Sequence, residues 1–377
     1  MRRILTIYYK HKPGGFCRRL KFKIEAFLDN EWEVHYIAVE PYPYSHPNLK
    51  PHILWTPFSQ YDSLFFWGYF FSISPFVLIW VGIKNKINLI TTGSPLYAFF
   101  CAPAKWLLQV PMLSLILIKP NFHAEWNADF KIFRRLEKFL EKCGLRWSNI
   151  SLANSWGSGE AWKKLYGSHA KKVEVLPNHV DAPEFNKKQQ RQRILDEFLL
   201  PSDSFIISNT GLLQKRKNLD CIIQALTEVK NEKCVLLLIG EGEEKDSLTK
   251  LAENTGNSQR VIFTGWRKDA RELVQGSDLF IFPSLREGMA ESLLEATTCE
   301  LPCLVSSISE NTDVIQNEEQ HFPPDSPQIL AAKINRLIED ENYYQNLLES
   351  TLKDKERFVF DWKARLMGYI EKITEKN

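Results

Sequence analysis

Short apolar runs rich in β-branched and aromatic residues alternate along this chain with longer stretches whose apolar positions recur at helical spacing, and that alternation predicts strands interleaved with helices. In the first half the strand-like runs fall at 4–8, 33–39, 89–92, 112–118 and 150–154, with helical spacing at 18–28 and 134–143. In the second half they fall at 205–209, 235–239, 261–264, 279–282 and 302–306, with helices expected near 220–229, 243–252 and 270–275. Strands separated by helices build parallel sheets from strand-helix-strand units. The expectation is an α/β chain of two Rossmann-like, doubly wound parallel-sheet domains facing a cleft, because ligands bind at the carboxyl ends of such strands.

One stretch breaks the rhythm. Residues 64–83 carry no charged side chain, a length sufficient to cross a bilayer if helical. Pro75 sits in mid-run beside Ser72 and Ser74, and ordinary strand and helix patterns continue after it. A kinked helix or helix pair, partly core and partly interfacial, is favoured over a span. A second apolar stretch at 95–118, interrupted by Lys105 and Gln109, extends the same wall.

At 377 residues the chain is too long for one ordinary core, and 44% hydrophobic with 25% charged residues describes a globular protein rather than a disordered one. The seven cysteines include no Cys-x-x-Cys pair, and an odd, scattered set is unlike a disulfide framework, which points to the reducing cytoplasm. The basic opening leads into an apolar run too short for a signal peptide, so it reads as a first strand.

The net charge of +2 conceals an asymmetry: residues 1–182 hold 23 Lys+Arg against 13 Asp+Glu, and residues 183–377 hold 25 against 33. A positive half suits an anionic surface, and the expectation is peripheral contact of the N-terminal domain with the inner face of the cytoplasmic membrane. A solvated basic face is the plain alternative. Without zinc-finger spacing, an RNP-like motif or a basic stripe interleaved with aromatics, no nucleic-acid partner is expected. Ala182-Pro183-Glu184 and the polar run 186–193 read as a hinge linker. The domains are therefore expected at 1–182 and 183–355, with a closing helix over 356–377.

The candidate chemistry lies in Pro283-Ser284-Leu285-Arg286-Glu287-Gly288-Met289-Ala290-Glu291-Ser292-Leu293-Leu294-Glu295-Ala296. A strand feeding a helix across a Gly turn aims free backbone N–H groups above the sheet edge, which suits a pyrophosphate. Glu287 and Glu295 on either side can accept hydrogen bonds from hydroxyls. Phosphate between two sets of hydroxyls describes a nucleotide sugar. The bland alternative makes Glu287 a turn cap and Glu295 a solvated helix residue.

Several stretches, in order, resemble the retaining glycosyltransferases of family 4, which have the GT-B fold. Val175-Leu176-Pro177-Asn178-His179-Val180-Asp181 resembles the family's hinge motif, and Gly211-Leu212-Leu213-Gln214-Lys215-Arg216-Lys217-Asn218 resembles its phosphate segment. Leu237-Leu238-Ile239-Gly240-Glu241-Gly242 is similar to its strand-then-GxG turn, and Ser277 to Ser284 is similar to the lead-in to its E-x7-E motif. The resemblance spans about 173–320. Phe358-Val359-Phe360-Asp361-Trp362 resembles the start of the final helix, which in the family crosses back to the first domain.

The resemblance implies that Glu287 bonds hydroxyls of the donor sugar, that Glu295 holds the ribose, and that backbone N–H groups at Met289, Ala290, Ser292 and Leu293 contact sugar and phosphate beside Gly288. It implies that Lys217 neutralises the diphosphate leaving group, that Gly14, Gly15 and Gly240 let backbone approach the donor, and that His123 is an active-site histidine. The expected partners are a UDP- or GDP-linked sugar and a glycan or lipid-linked acceptor. Neither a cofactor nor a metal is expected, since no Asp-x-Asp pair occurs.

Departures are visible. Leu212 stands where the family has an arginine for the diphosphate, leaving Lys215 or Arg216 to supply that charge. Met289-Ala290 replaces Phe-Gly, Glu300 replaces a turn glycine, and His179 replaces the hinge glycine. These keep open a noncatalytic sugar-nucleotide-binding partner subunit and, less favoured, a nucleotide-sugar isomerase.

Overall fold

A computed structural model of the chain describes residues 1–11, 15–61, 63–117, 131–184, 186–289 and 291–375. It divides into two compact units, Met1–Pro177 with Asp361–Asn377, and Asn178–Phe360.

Among the described residues of the first unit, seven parallel strands run in the order β3-β2-β1-β4-β5-β6-β7. They are β1 (Arg3–Ile7), β2 (Glu33–Ala38), β3 (Leu49–Ile53), β4 (Leu89–Thr92), β5 (Met112–Ile116), β6 (Ile150–Ala153) and β7 (Val173–Val175). Helix α1 (Gly15–Asp29) joins β1 to β2; α2 (Leu64–Asn85), α3 (Pro95–Leu108) and α4 (Lys131–Trp147) make the successive crossovers from β3 to β6, and α5 (Trp156–Tyr166) leads to β7. The strand order moves one way through α1 and the other way through α2 to α4. Right-handed crossovers therefore place α1 on one face of the sheet and α2, α3 and α4 on the other.

The central strands are legible because they are apolar on both faces: β4 and β5 are buried at every position. Strand β3, absent from the sequence expectation, is an edge strand carrying Lys50, Pro51 and His52. An edge tolerates a proline and polar side chains that a central strand cannot.

The run at 64–83 is neither a pair of helices nor broken at Pro75. It is one 22-residue helix, opened by Ser63, whose side chain accepts from Phe66 N, and closed by Lys86 at φ +49. A proline inside a helix costs about 3 kcal/mol. Burial of Phe66, Phe70, Ser74, Leu78 and Val81 along one face offsets that cost.

In the second unit the described strands order as β10-β9-β8-β11-β12-β13, all parallel. They are β8 (Phe205–Thr210), β9 (Cys234–Ile239), β10 (Val261–Gly265), β11 (Leu279–Phe282), β12 (Cys303–Ser306) and β13 (His321–Phe322). The helices are α6 (Lys187–Glu197), α7 (Leu219–Ala225), α8 (Lys245–Asn254), α9 (Ala270–Gln275), α10 (Glu291–Thr297), the single turn α11 (Ser309–Thr312), α12 (Pro327–Glu339) and α13 (Glu341–Lys355). Apolar clusters lie on both faces, one with Ile207, Leu236 and Ile281 and the other with Ile206, Leu237 and Phe280. The last helix, α14 (Trp362–Thr374), belongs to the first unit, where Lys363 Nζ pairs with Asp29 at 2.7 Å and Glu25 at 3.4 Å on α1.

Candidate functional site

Strand order in the second sheet reverses between β8 and β11. From β8 the chain moves outward through β9 and β10, then returns to place β11 on the other side of β8. In doubly wound sheets, ligands bind beyond the carboxyl ends of the strands at such a switch point. Here the two segments meeting there are those with the family resemblance.

Past β8, the chain makes a 3-10 turn at Lys215–Lys217, ended by Asn218 in the left-handed region at φ +55. Asn218 uses its amide to lock this turn to the neighbouring loops, donating from Nδ2 to Pro283 O at 3.2 Å and to Pro324 O at 2.7 Å. Leu285 N donates to Arg216 O at 2.8 Å, and Asn209 Nδ2 donates to Ile281 O at 2.8 Å. The loops after β8 and β11 are thus tied by backbone and amide hydrogen bonds before any charge is considered.

On that scaffold, Glu287 Oε1 accepts from Lys217 Nζ at 2.7 Å and from Arg216 Nη1 at 2.9 Å. The Lys217 and Glu287 side chains are each only 9% exposed, and Lys217 Nζ also lies 4.7 Å from the centre of the Phe282 ring. Desolvation pushes the Lys217 ammonium below the ordinary lysine range, and Arg216 adds to this, while the Glu287 carboxylate opposes it. Burial of a lysine is tolerated when a carboxylate and an aromatic face receive it. Lys215, the other candidate for the missing arginine charge, is 73% exposed and pairs with Asp220 instead. Leu212 points no charge at the cluster. Arg216 is therefore the second cation at this site.

Gly211 and Gly240 bring the ends of β8 and β9 together. Gly240 has φ +148, and a Cβ there would stand 1.9 Å from Gly211 O. Only glycine fits, and the chain continues past it to the exposed Glu241.

Gly288 sits in the loop after β11, and Ser292 and Glu295 are half-buried on α10. Met289 and Leu293 are buried in the apolar cluster below, so their side chains pack rather than bind. The amide N–H groups of the first turn of α10 lack intrahelical partners, as at any helix start. Gly15 is the first residue of α1, in the first unit. Gly14, His123 and Ala290 lie outside the described residues. Among the described residues, no group of three or more His, Cys, Asp or Glu side chains is placed to hold a metal ion.

Sequence reasoning passed over the asparagines. Asn178 Nδ2 donates to Met289 O at 3.3 Å, holding the loop that carries Glu287, and Asn311 Nδ2 donates to Ser306 Oγ at 2.9 Å beneath it. The signal available was Asn218 after a basic turn, since asparagine tolerates the left-handed region.

Residues 190–354 match the family model described as Glycosyl transferases group 1. A UDP-Gal:alpha-D-GlcNAc-diphosphoundecaprenol alpha-1,3-galactosyltransferase of Escherichia coli is 32% identical over 249 residues, covering 63% of this chain and 62% of the relative. The serotype-specific mannosyltransferase WbdA of Escherichia coli is 31% identical over 183 residues, 46% of this chain, which span only 22% of the relative. Among solved structures, Anabaena Alr3699/HepE in complex with UDP superposes with a TM-score of 0.80 at 17% identity, covering 99% of this chain and 100% of that one. The chain has the GT-B fold, and these likenesses support the GT-B glycosyltransferase superfamily.

Proposed function

We propose that this chain is a retaining, metal-independent glycosyltransferase of the family 4 type, moving a sugar from a UDP- or GDP-linked donor to a hydroxyl of a lipid-linked or cell-surface glycan precursor. The observation that carries the reading is the cluster of Lys217, Arg216 and Glu287 at the switch point between β8 and β11. Negative charge grows on the diphosphate as the glycosidic bond breaks, and two preorganised cations stabilise it without a divalent ion. In this reading Glu287, which holds both cations, also accepts hydrogen bonds from sugar hydroxyls beside them. Glu295 accepts from the ribose, and the backbone N–H groups of Met289, Ala290, Ser292 and Leu293 meet sugar and phosphate. Gly14, Gly15 and Gly240 admit close backbone approach, and His123 serves at the reacting centre.

In this reading the bond from the anomeric carbon to the diphosphate breaks, the acceptor oxygen forms its bond on the same face, and the leaving phosphate oxygen takes the acceptor proton. No strong protein base is then required. The acceptor class is supported by the Escherichia coli galactosyltransferase, whose name specifies a diphosphoundecaprenol-linked substrate. Seven free thiols support a cytoplasmic location, and the basic first half supports a peripheral one at the membrane's inner face.

Purified protein incubated with a panel of UDP- and GDP-sugars and a lipid-linked acceptor should release free nucleotide, with and without excess chelator, and Glu295→Ala should abolish release. Binding of a sugar nucleotide with no release under any acceptor would replace this reading with the noncatalytic partner. An altered sugar on an intact diphosphate would replace it with the isomerase.

A further inference from the structure

Helix α2 is apolar on both sides, but only one side is used. Its inner face is buried in the first unit, yet just 28% of its most apolar 18-residue window is buried. On the outer face Phe65 is 80% exposed, Phe76 72%, Trp80 58% and Ile83 59%, at helical spacing. A helix apolar all round is ordinarily either enclosed by protein or in contact with lipid, and exposed apolar patches of this kind mark interaction surfaces.

The patch does not stop at α2. The three helices pack side by side: a Cβ at Gly82 near the end of α2 would strike the Leu108 side chain at the end of α3, and the Trp106 ring of α3 lies 5.0 Å from the Trp147 ring of α4. Trp106 and Leu107 at the end of α3 are exposed, as are Leu136 and Phe139 on α4. Basic side chains stand among them. Lys84 places its ammonium 4.9 Å from the centre of the Trp80 ring, and Arg135, Lys142 and Arg146 are exposed along α4 at helical spacing with Lys138 half-buried between them.

From this arrangement we infer that the outer face of α2, α3 and α4 docks on an anionic lipid bilayer, with α2 lying in the plane of the interface. The indoles and phenyl rings enter the boundary between headgroups and acyl chains, and the lysines and arginines meet lipid phosphates. A spanning α2 is incompatible with the burial of Phe66, Phe70 and Leu78 against the domain, because lipid would have to surround that face too. A second copy of the chain is a poor occupant, since a face lined by four or more cations in a half carrying 23 basic against 13 acidic residues repels itself. This inference deepens the proposed lipid-linked acceptor by naming the surface through which the protein reaches it.

The test is co-sedimentation of the full chain, without donor or acceptor, with vesicles of phosphatidylcholine alone or mixed with phosphatidylglycerol, so its outcome stands apart from that of the transferase assay. The protein is expected to sediment with the anionic vesicles and to be quenched there by brominated acyl chains. Phe76→Ser with Trp80→Ser, and Lys138→Glu with Lys142→Glu and Arg146→Glu, should each weaken binding at least about tenfold while leaving the circular-dichroism melt in place. Absence of binding to anionic vesicles, or binding unchanged in both variants, overturns the inference. So does a dimer that Phe76→Ser with Trp80→Ser dissociates in place of any vesicle binding. Retention in native membranes through alkaline carbonate extraction would overturn the in-plane placement in favour of a span.

Discussion

Glu287 and Lys217 stand 70 positions apart in the chain and 2.7 Å apart in the fold. Each follows a different strand, β11 and β8, which the sheet order makes neighbours. Replacing Glu287 with Ala removes the carboxylate from a buried ammonium that also faces Arg216 and the Phe282 ring, and should cost about 3 kcal/mol or more of stability. Thermal melting checks it, and Glu287→Gln, which keeps an acceptor oxygen, should lose less.

Lys217→Met retains the packing of the stem and the Arg216–Glu287 pair, so the fold should survive. Under the proposed reaction kcat/KM should fall by roughly 100-fold or more, the scale of removing one preorganised group that stabilises developing charge. Arg216→Ala should weaken donor binding, whereas Lys215→Ala should leave it nearly unchanged, because Lys215 is exposed and turned to Asp220. Nucleotide titration by calorimetry separates the two.

Gly240→Ala forces a Cβ to within 1.9 Å of a backbone oxygen at a φ of +148, where no side chain can rotate away. A loss upwards of about 3 kcal/mol is expected, because both clash and backbone strain contribute. A fall in melting temperature with unchanged far-ultraviolet dichroism would identify it; a melt equal to wild type would show that the two strand ends are not so closely joined.

Lys23 is fully buried in the first unit and donates to Thr6 Oγ1 at 2.9 Å, and burial lowers its pKa to about 7. The unfolded lysine titrates near ~10.4. Between these values the unfolded chain holds a proton that the folded chain has released, so stability rises as pH climbs from about 7 to about 10 and is flat below that window. Lys23→Met should remove this slope and be more stable at pH 7. Denaturant melts of both proteins at pH 7 and pH 9.5 check it; parallel slopes would refute it.

Glu300 takes φ +56 at the turn before β12, a conformation that glycine adopts freely and a side chain resists. Glu300→Gly should stabilise the second unit by roughly 0.5–1 kcal/mol, read as a raised melting temperature.

The alternation of strands and helices was legible in the sequence wherever a strand lies in mid-sheet, as β8, β9 and β11 do, because burial on both faces demands an apolar run. Three edge strands escaped: β3 with its Lys50-Pro51-His52, the three-residue β7 and the two-residue β13 carry too little apolar pattern to be read, whereas the edge strand β10 has the run Val261-Ile262-Phe263 and was legible. Spacing also exposed Glu287 and Glu295 as a candidate pair, and the glycine pattern exposed Gly240. It left open which of Lys215 and Arg216 serves the site, since neighbours in a tight turn point in different directions.

By itself the sequence determined the local periods: which apolar runs become mid-sheet strands, where the helices between them fall, and that a greasy, uncharged run exists at 64–83. Tertiary structure alone decided that β11 sits beside β8 and so joins Glu287 to Lys217 and Arg216, and that Pro75 leaves α2 continuous with one face buried and one bare. The physical reason is range: periodicity follows from bonds between near neighbours, whereas strand order and the choice of buried face are set by the packing of distant segments against one another.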